Sequence, residues 1–143
     1  MVIKSPRAKG MAGEYEVIAL LTIWAKEVDV PLVLSRNLLQ VREGGADIDG
    51  VHGLEVEVKR VEQSTSAGIN QWWVQVCRAA AKTGKTPFLI HRRNRQPWRA
   101  RVLTTVAMHN ELTAAWDLFE VIVDLELPQA KLWFQRYVQV YAK

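Results

Sequence analysis

Four carboxylates and a lysine fall within thirteen residues of this chain: Asp47, Asp49, Glu55, Glu57 and Lys59. The stretch reads as two short strands joined by a tight turn. In a strand, successive side chains point to opposite faces. Leu54, Val56 and Val58 then face a core, while Glu55, Glu57 and Lys59 stand together on the other side. Asp47 or Asp49, on the preceding strand, reaches the same patch. Carboxylate oxygens are the ligands Mg²⁺ prefers, usually one or two of them with waters and substrate phosphates. The plain alternative is a solvated Glu-x-Lys pair beside an Asp-x-Asp-Gly turn.

The distribution of charge favours chemistry. The net charge is +4, yet no acidic residue occurs between Glu62 and Glu111. That span carries Arg78, Lys82, Lys85, Arg92, Arg93, Arg95, Arg99 and Arg101. An acidic cluster beside a purely basic tract suits a metal-dependent enzyme acting on a polyanion. Solubility alone does not require the signs to segregate.

Other classes are excluded by what the chain lacks. At 143 residues one domain, spanning 1–143, is the default. Its apolar runs fall well short of the ~20 residues of a membrane span, and its first residues lack the apolar core of a signal peptide. The single cysteine, Cys77, rules out an internal disulfide and fits a reducing cytoplasm. His52, His91 and His109 show no zinc-ligand spacing. There is no P-loop, no dinucleotide fingerprint and no nucleophile elbow.

The elements that must position the cluster follow in order. Ser5-Pro6 starts a helix that runs to about Val28, with Val17, Leu21, Trp24 and Val28 as its apolar stripe. Glu14 lies at the edge of that stripe, and Glu16 and Glu27 lie opposite. Residues 31–36 read as a strand and 37–45 as a polar loop, with Arg36 and Arg42 placed either to meet phosphate or to serve as ordinary surface. After the acidic strands, 64–68 reads as a flexible link. A helix follows from Ile69 to Thr83, capped by Gly84. Its Trp72, Val76, Ala79 and Thr83 form the buried stripe and its Gln71, Gln75, Arg78 and Lys82 the outer one. A strand at 86–91, a basic turn at 92–97 and a returning strand at 98–103 form a hairpin rich in arginine, a residue suited to phosphate. Residues 104–117 read as helical turns and 118–124 as an edge strand. Pro128 opens a last helix to about Tyr141, with Leu132, Trp133, Tyr137 and Val140 apolar.

This order resembles the PD-(D/E)xK nuclease superfamily, and within it the Holliday junction resolvases of archaeal type and their phage homologues. Lys9-Gly10-Met-Ala-Gly-Glu14 resembles the family's Lys-Gly-x-x-x-Glu helix start. Gly45-Ala-Asp47-Ile resembles its Gly-x-Asp-hydrophobic strand, and Val56-Glu57-Val58-Lys59 its Val-Glu-Val-Lys. The likeness runs from about residue 7 to 103, leaving 104–143 as an extension. The gap from Asp47 to Glu57 is short for the archaeal enzymes, and Ala-Asp replaces Pro-Asp.

The resemblance implies an α/β fold with a restriction-endonuclease-like core, a central mixed sheet of four to five strands flanked by helices. It implies catalytic Glu14, Asp47, Glu57 and Lys59. The three carboxylates, with the Val58 carbonyl, would bind Mg²⁺, for which Mn²⁺ substitutes. Lys9, Arg36, Arg92, Arg93, Arg95 and Arg99 would hold DNA, with Asp49 and Gln75 in support. The implied activity is paired symmetric hydrolysis of a four-way junction by a homodimer in the cytoplasm, the host's if the gene is a phage's. The dimer surface expected is the last helix or the Trp72/Trp73 region. The competing readings are a nuclease of the same fold with another DNA substrate, and a basic binding module whose acidic cluster is structural.

Overall fold

A computed structural model describes residues 6–38 and 46–141, with backbone only for 6–9. The loop expected at 37–45, with Arg42, lies largely outside the described residues, as does the Lys9 side chain. Among the described residues, three helices and six strands follow in the order α1 (Pro6–Glu27), β1 (Ser35–Arg36), β2 (Ile48–Asp49), β3 (Leu54–Val61), α2 (Ser66–Thr83), β4 (Thr86–Arg93), β5 (Arg99–Asn110), β6 (Ala115–Leu125) and α3 (Leu127–Tyr141). The strands form one mixed sheet in chain order, β1-β2-β3-β4-β5-β6. Among the described strands only β3 and β4 run parallel, joined through α2, as a parallel pair requires a long crossover. The α/β fold is as expected, with six strands instead of four or five.

Helices cover both faces. On one face Val17 and Leu21 of α1 and Phe134 and Val138 of α3 pack on Val56, Val58, Phe88, Ile90, Ala100 and Val102. On the other, Trp73 and Val76 of α2 pack on Leu89. Alternation along β3 therefore decides the site: its valines enter the larger core and its Glu55, Glu57 and Lys59 turn to the α2 face.

Three local devices hold this arrangement. Helix α1 ends where Asp29 takes a left-handed φ of 59°, and the Val30 N–H returns to the Ala25 carbonyl at 3.0 Å, closing the last turn. Gly50, at φ 116°, makes the turn into β3, where a Cβ would lie 2.3 Å from the Val33 carbonyl oxygen. Thr65 caps α2 by accepting the Gly68 N–H at 3.0 Å, so the expected flexible link at 64–68 is instead the helix start.

Several expectations change. The first strand shrinks to Ser35–Arg36. Helix α2 is rotated by one residue, burying Trp73, Val76 and Ala80. Helix α3 buries Ala130, Phe134 and Val138 and exposes Leu132 and Val140. The helical turns expected at 104–117 are the long β5–β6 hairpin, whose tip turns on Asn110. Its side-chain oxygen accepts the Leu112 and Thr113 N–H groups at 3.0 and 3.3 Å, an Asx turn that needs neither Gly nor Pro.

Candidate active site at the open edge of the third strand

Strand β2 is only two residues long, so it pairs with β3 only briefly, with Ile48 opposite Val56. The Asp47 N–H donates to the Val56 carbonyl at 2.8 Å. One step further along β3, the Asp47 side chain replaces the missing ladder: its Oδ2 accepts the Val58 N–H at 2.7 Å. In an antiparallel pair both backbone groups of a residue point to the same side. The Val58 carbonyl therefore faces the same edge, where no described residue pairs with it. A carboxylate and a carbonyl are brought together because the sheet stops being a sheet there.

Asp47 is 4% exposed and Glu57 9%. Burial, then the neighbouring Glu57 and the more distant Glu14, push the Asp47 carboxyl up to about 7, against the Val58 N–H and Lys59. Glu57 is also raised, first by burial. The charge and hydrogen bond of Lys59 and a hydrogen bond with Asp47 pull it back. Its Oε1 lies 3.2 Å from the Lys59 ammonium. Two crowded carboxylates in a poorly solvated place favour sharing a proton over carrying two charges. A cation in their place would release that proton.

Glu14 approaches from α1 and forms an ion pair with Arg36 of β1. Arg36 also lies over the Tyr15 ring, 5.4 Å from its centroid. Arg36, expected to bind DNA, is thus ion-paired with an expected catalytic carboxylate. Gly13 eases the close approach of α1, since a Cβ there would sit a tight 3.1 Å from the Arg60 Cβ.

Glu16 was assigned to the outer side of α1, yet it pairs with Arg60 at 2.8 Å and Arg92 at 2.9 Å. It clamps the helix to the ends of β3 and β4. Periodicity alone misses this, because the helix lies across basic strand ends that meet both of its flanks. Arg92, expected to bind DNA, also lies 5.2 Å over the Trp98 ring.

The remaining candidates separate cleanly. Asp49 is exposed and acts electrostatically on Glu55. Asp47 is the residue beside Glu57. Glu55 is fully buried, 3.5 Å from the Thr83 hydroxyl, with its Oε1 unpartnered among the described residues. Burial raises its pKa. Gln75 lies on the solvent side of α2 in a shallow depression with Asn70, Gln71, Val74 and Arg78, away from the carboxylates. Arg93, Arg95 and Arg99 are exposed. Arg101 is held by Asp124 at 2.7 Å and Asn70 at 2.8 Å.

Among the described residues, no three His, Cys, Asp or Glu side chains stand close enough together to hold a metal ion. The donor set present is two carboxylates and a carbonyl at one edge, with Glu14 turned to Arg36. Two carboxylates and a carbonyl are oxygen donors of the kind a hard divalent cation takes.

A family model described as "Phage putative PDDEXK endonuclease" matches residues 5–131. The chain belongs to this family of endonucleases. The matched span includes Asp47 and Glu57-Val58-Lys59, the residues that the fold brings to one edge. Among solved structures, Hjc from the archaeal hyperthermophile Archaeoglobus fulgidus, a Holliday junction resolvase, is similar at 16% identity. The match covers 86% of this chain and 95% of that one, with a TM-score of 0.48. No curated protein matches the sequence. Among the described residues, no helix is long and apolar enough to cross a membrane.

Proposed function

We propose that the chain is a divalent-cation-dependent endodeoxyribonuclease that resolves four-way DNA junctions by paired, symmetric hydrolysis. The observation that carries the reading is the buried Asp47–Glu57 pair with Lys59 at 3.2 Å from Glu57, set on the open edge of β3. Asp47, Glu57 and the Val58 carbonyl would hold Mg²⁺, or Mn²⁺ in its place, with Glu14 joining when it leaves Arg36. The ion supplies Lewis acidity to a phosphate oxygen and to the attacking water. The Lys59 ammonium would offset charge developing on the phosphorane-like transition state and orient the water. Arg93, Arg95 and Arg99 lie exposed on and around the β4–β5 turn and carry the backbone contacts, joined by Lys9.

Two cuts related by a two-fold axis call for two copies of the site. A homodimer belongs to this reading. Trp73 is buried under α2, so the Trp72/Trp73 region is spent in the core. β6 is the better surface: an eleven-residue edge strand with Trp116, Leu118 and Ile122 exposed.

The test is cleavage of an immobile four-way junction beside duplex and single-stranded controls, with Mg²⁺ or EDTA, for the wild type and Glu57→Gln. Paired nicks on the junction alone, lost with EDTA and in the variant, support the reading. Equal cutting of every substrate reduces it to a general nuclease. Binding without cutting in any divalent metal overturns it.

A further inference from the structure

Beyond the carboxylate edge, the same sheet end holds a cavity of about 710 Å³ that none of Glu14, Asp47, Glu57 or Lys59 lines. Its floor is the end of β4 and start of β5, and one wall is the N-terminus of α2. The two sites share a row of the sheet. Lys59 pairs with His91 across β3–β4, and His91 pairs with Arg99 across β4–β5. Neighbouring strands stand ~4.8 Å apart. The three nitrogen-bearing side chains therefore form a line from the catalytic edge into the cavity.

The cavity is built for an anion. Helix α2 has 18 residues and no acidic residue in its first turn. Thr65 satisfies the Gly68 N–H with its hydroxyl and the Ile69 N–H with its carbonyl. The Ser66 and Ala67 N–H groups have no partner among the described residues, at the positive end of the helix dipole. Arg93 and Arg99 line the cavity and form no ion pair among the described residues.

The second observation is independent of the helix. His91 lines the cavity yet is only 6% exposed. No described residue gives its ring a hydrogen bond; its ring neighbour is Trp72, at 6.0 Å. The ring is largely buried but its nitrogens reach the cavity, so their hydrogen bonds are completed from the cavity side, by water or by a ligand that displaces it.

We propose that this cavity binds a phosphate group of the nucleic-acid strand being cut, adjacent to the scissile one, with His91, Arg93, Arg99 and the α2 N-terminus as its donors. The proposal rests on the nuclease reading for its choice of ligand. Its role is to fix the register of the strand, so that the phosphate over Glu57 and Lys59 is set by a second phosphate held on the same row. The charges that face His91 are consistent with an anion arriving. Burial holds its pKa down to about 4, Arg99 and Arg101 press in the same direction, and Asp124 opposes them. Glu126 lines the far wall and limits how much negative charge the cavity accepts.

The experiment is imidazole NMR on the Glu57→Gln protein in EDTA, so that nothing is cut. The probes are inorganic phosphate and short oligothymidylates with a free 5′ end, a 5′-phosphate or a 3′-phosphate. The expected result is an oligonucleotide-dependent upward move of the His91 titration by about one unit or more, with His52 and His109 unmoved. A response to every oligonucleotide identifies an internal diester, and a response to one phosphorylated form identifies a terminal monoester. Both support the proposal. In an Arg93→Ala/Arg99→Ala variant the move disappears, oligonucleotide affinity falls about tenfold, and the salt slope of binding drops by about one to two. Binding that leaves His91 unmoved, an unchanged response in the double variant, or a response to inorganic phosphate alone overturns it. Failure of the nuclease reading looks different: His91 responds to oligonucleotide, but no DNA is ever cleaved by the wild type.

Discussion

Two regions break the ordinary rule of burial, in opposite directions. At the β2–β3 edge, Asp47 and Glu57 are charged groups 4% and 9% exposed. In the outer half of the β5–β6 hairpin, Trp116 and Leu118 are apolar groups 65% and 69% exposed. The first region carries a folding cost at neutral pH, because two ionisable carboxylates are held where water cannot solvate them. The second carries almost none, because apolar groups left in water lose only what they would have gained by burial. Strain of the first kind persists where surrounding contacts enforce it. Here the Val58 N–H, Lys59 and the α1 clamp do so. Exposure of the second kind needs only a β-ladder, and β5 and β6 pair in register over their whole length, from Ala100 with Leu125 to Asn110 with Ala115.

The largest effect that would break this comparison is on chemistry. Glu57→Gln and Lys59→Ala should each lower cleavage by about three orders of magnitude or more, since each removes a group to which the proposed mechanism gives a role at the reacting phosphate. Leu118→Ser should leave cleavage per site within about twofold, the outer hairpin lying outside the chemistry. Single-turnover rates on a common substrate measure both. A Glu57→Gln enzyme of normal rate would mean that the buried pair is only structural.

Next comes stability, where the sign is decided by which state binds the proton. Asp47 has its pKa raised to about 7 from 3.8, so the folded state binds more protons than the unfolded one between those values. Stability is greatest below about 3.8 and falls as pH rises toward 7, by at most about 4 kcal/mol. Asp47→Asn keeps an oxygen for the Val58 N–H and removes that loss. It should raise the melting temperature at pH 7.5 and leave it nearly unchanged at pH 4. Mg²⁺ should raise the wild-type melting temperature at neutral pH and do much less for the variant.

His91 gives the opposite slope in nearly the same window. Its folded pKa is lowered to about 4 from 6.5, first by burial. The stability that belongs to the neutral ring is complete above about 6.5 and is lost as pH falls toward 4, by about 3 kcal/mol. The two slopes partly cancel in the wild type. His91→Gln in the metal-free protein should therefore steepen the fall with rising pH that Asp47 shares with Glu57 and Glu55, and Asp47→Asn should weaken that fall and let the His91 slope show more strongly. Urea midpoints between pH 4 and 7.5 measure this, and parallel profiles for the two variants would refute it.

Much of the first region was legible because its chemistry is local in sequence. Glu57-Val58-Lys59 needs only strand alternation to put Glu57 and Lys59 on one face, and Asp47 follows from a turn that Gly50 makes possible. The choice of Asp47 over Asp49 and of Glu57 over Glu55 depends on which backbone group is left unpaired, and sequence does not display that. Glu16 was read as outward-facing because helical periodicity describes one helix, whereas its partners Arg60 and Arg92 lie on strands 44 and 76 residues away. The second region was read as helical turns at 104–117 for a different reason. Thr104 to Asn110 lack a clean apolar–polar alternation, and the Asn110 turn carries no Gly or Pro to mark it. A strand exposed on both faces has no burial pattern to leave in its sequence.

The Glu16 clamp should matter moderately. It is a part-exposed bridge to two arginines, worth about 1–2 kcal/mol in sum after solvent screening. Glu16→Gln should lower the urea midpoint accordingly and weaken catalysis slightly by loosening α1, which carries Glu14.

The smallest effect should come from the outer hairpin. Leu118→Lys with Ile122→Lys places charge on an edge strand whose own charged side chains, Asp117, Glu120 and Asp124, are all acidic. Both residues are already in water, at 69% and 54% exposure, so monomer stability should change by less than about 0.5 kcal/mol. An unpaired strand edge of this length is a template for another chain, and lysine is the common means of blunting it. Sedimentation velocity over a range of concentrations should therefore show weaker self-association in the double variant than in the wild type. If association is unchanged while the urea midpoint falls, those side chains are buried in the working protein, and the contrast between the two regions reverses: the hairpin would be the one enforced by its surroundings.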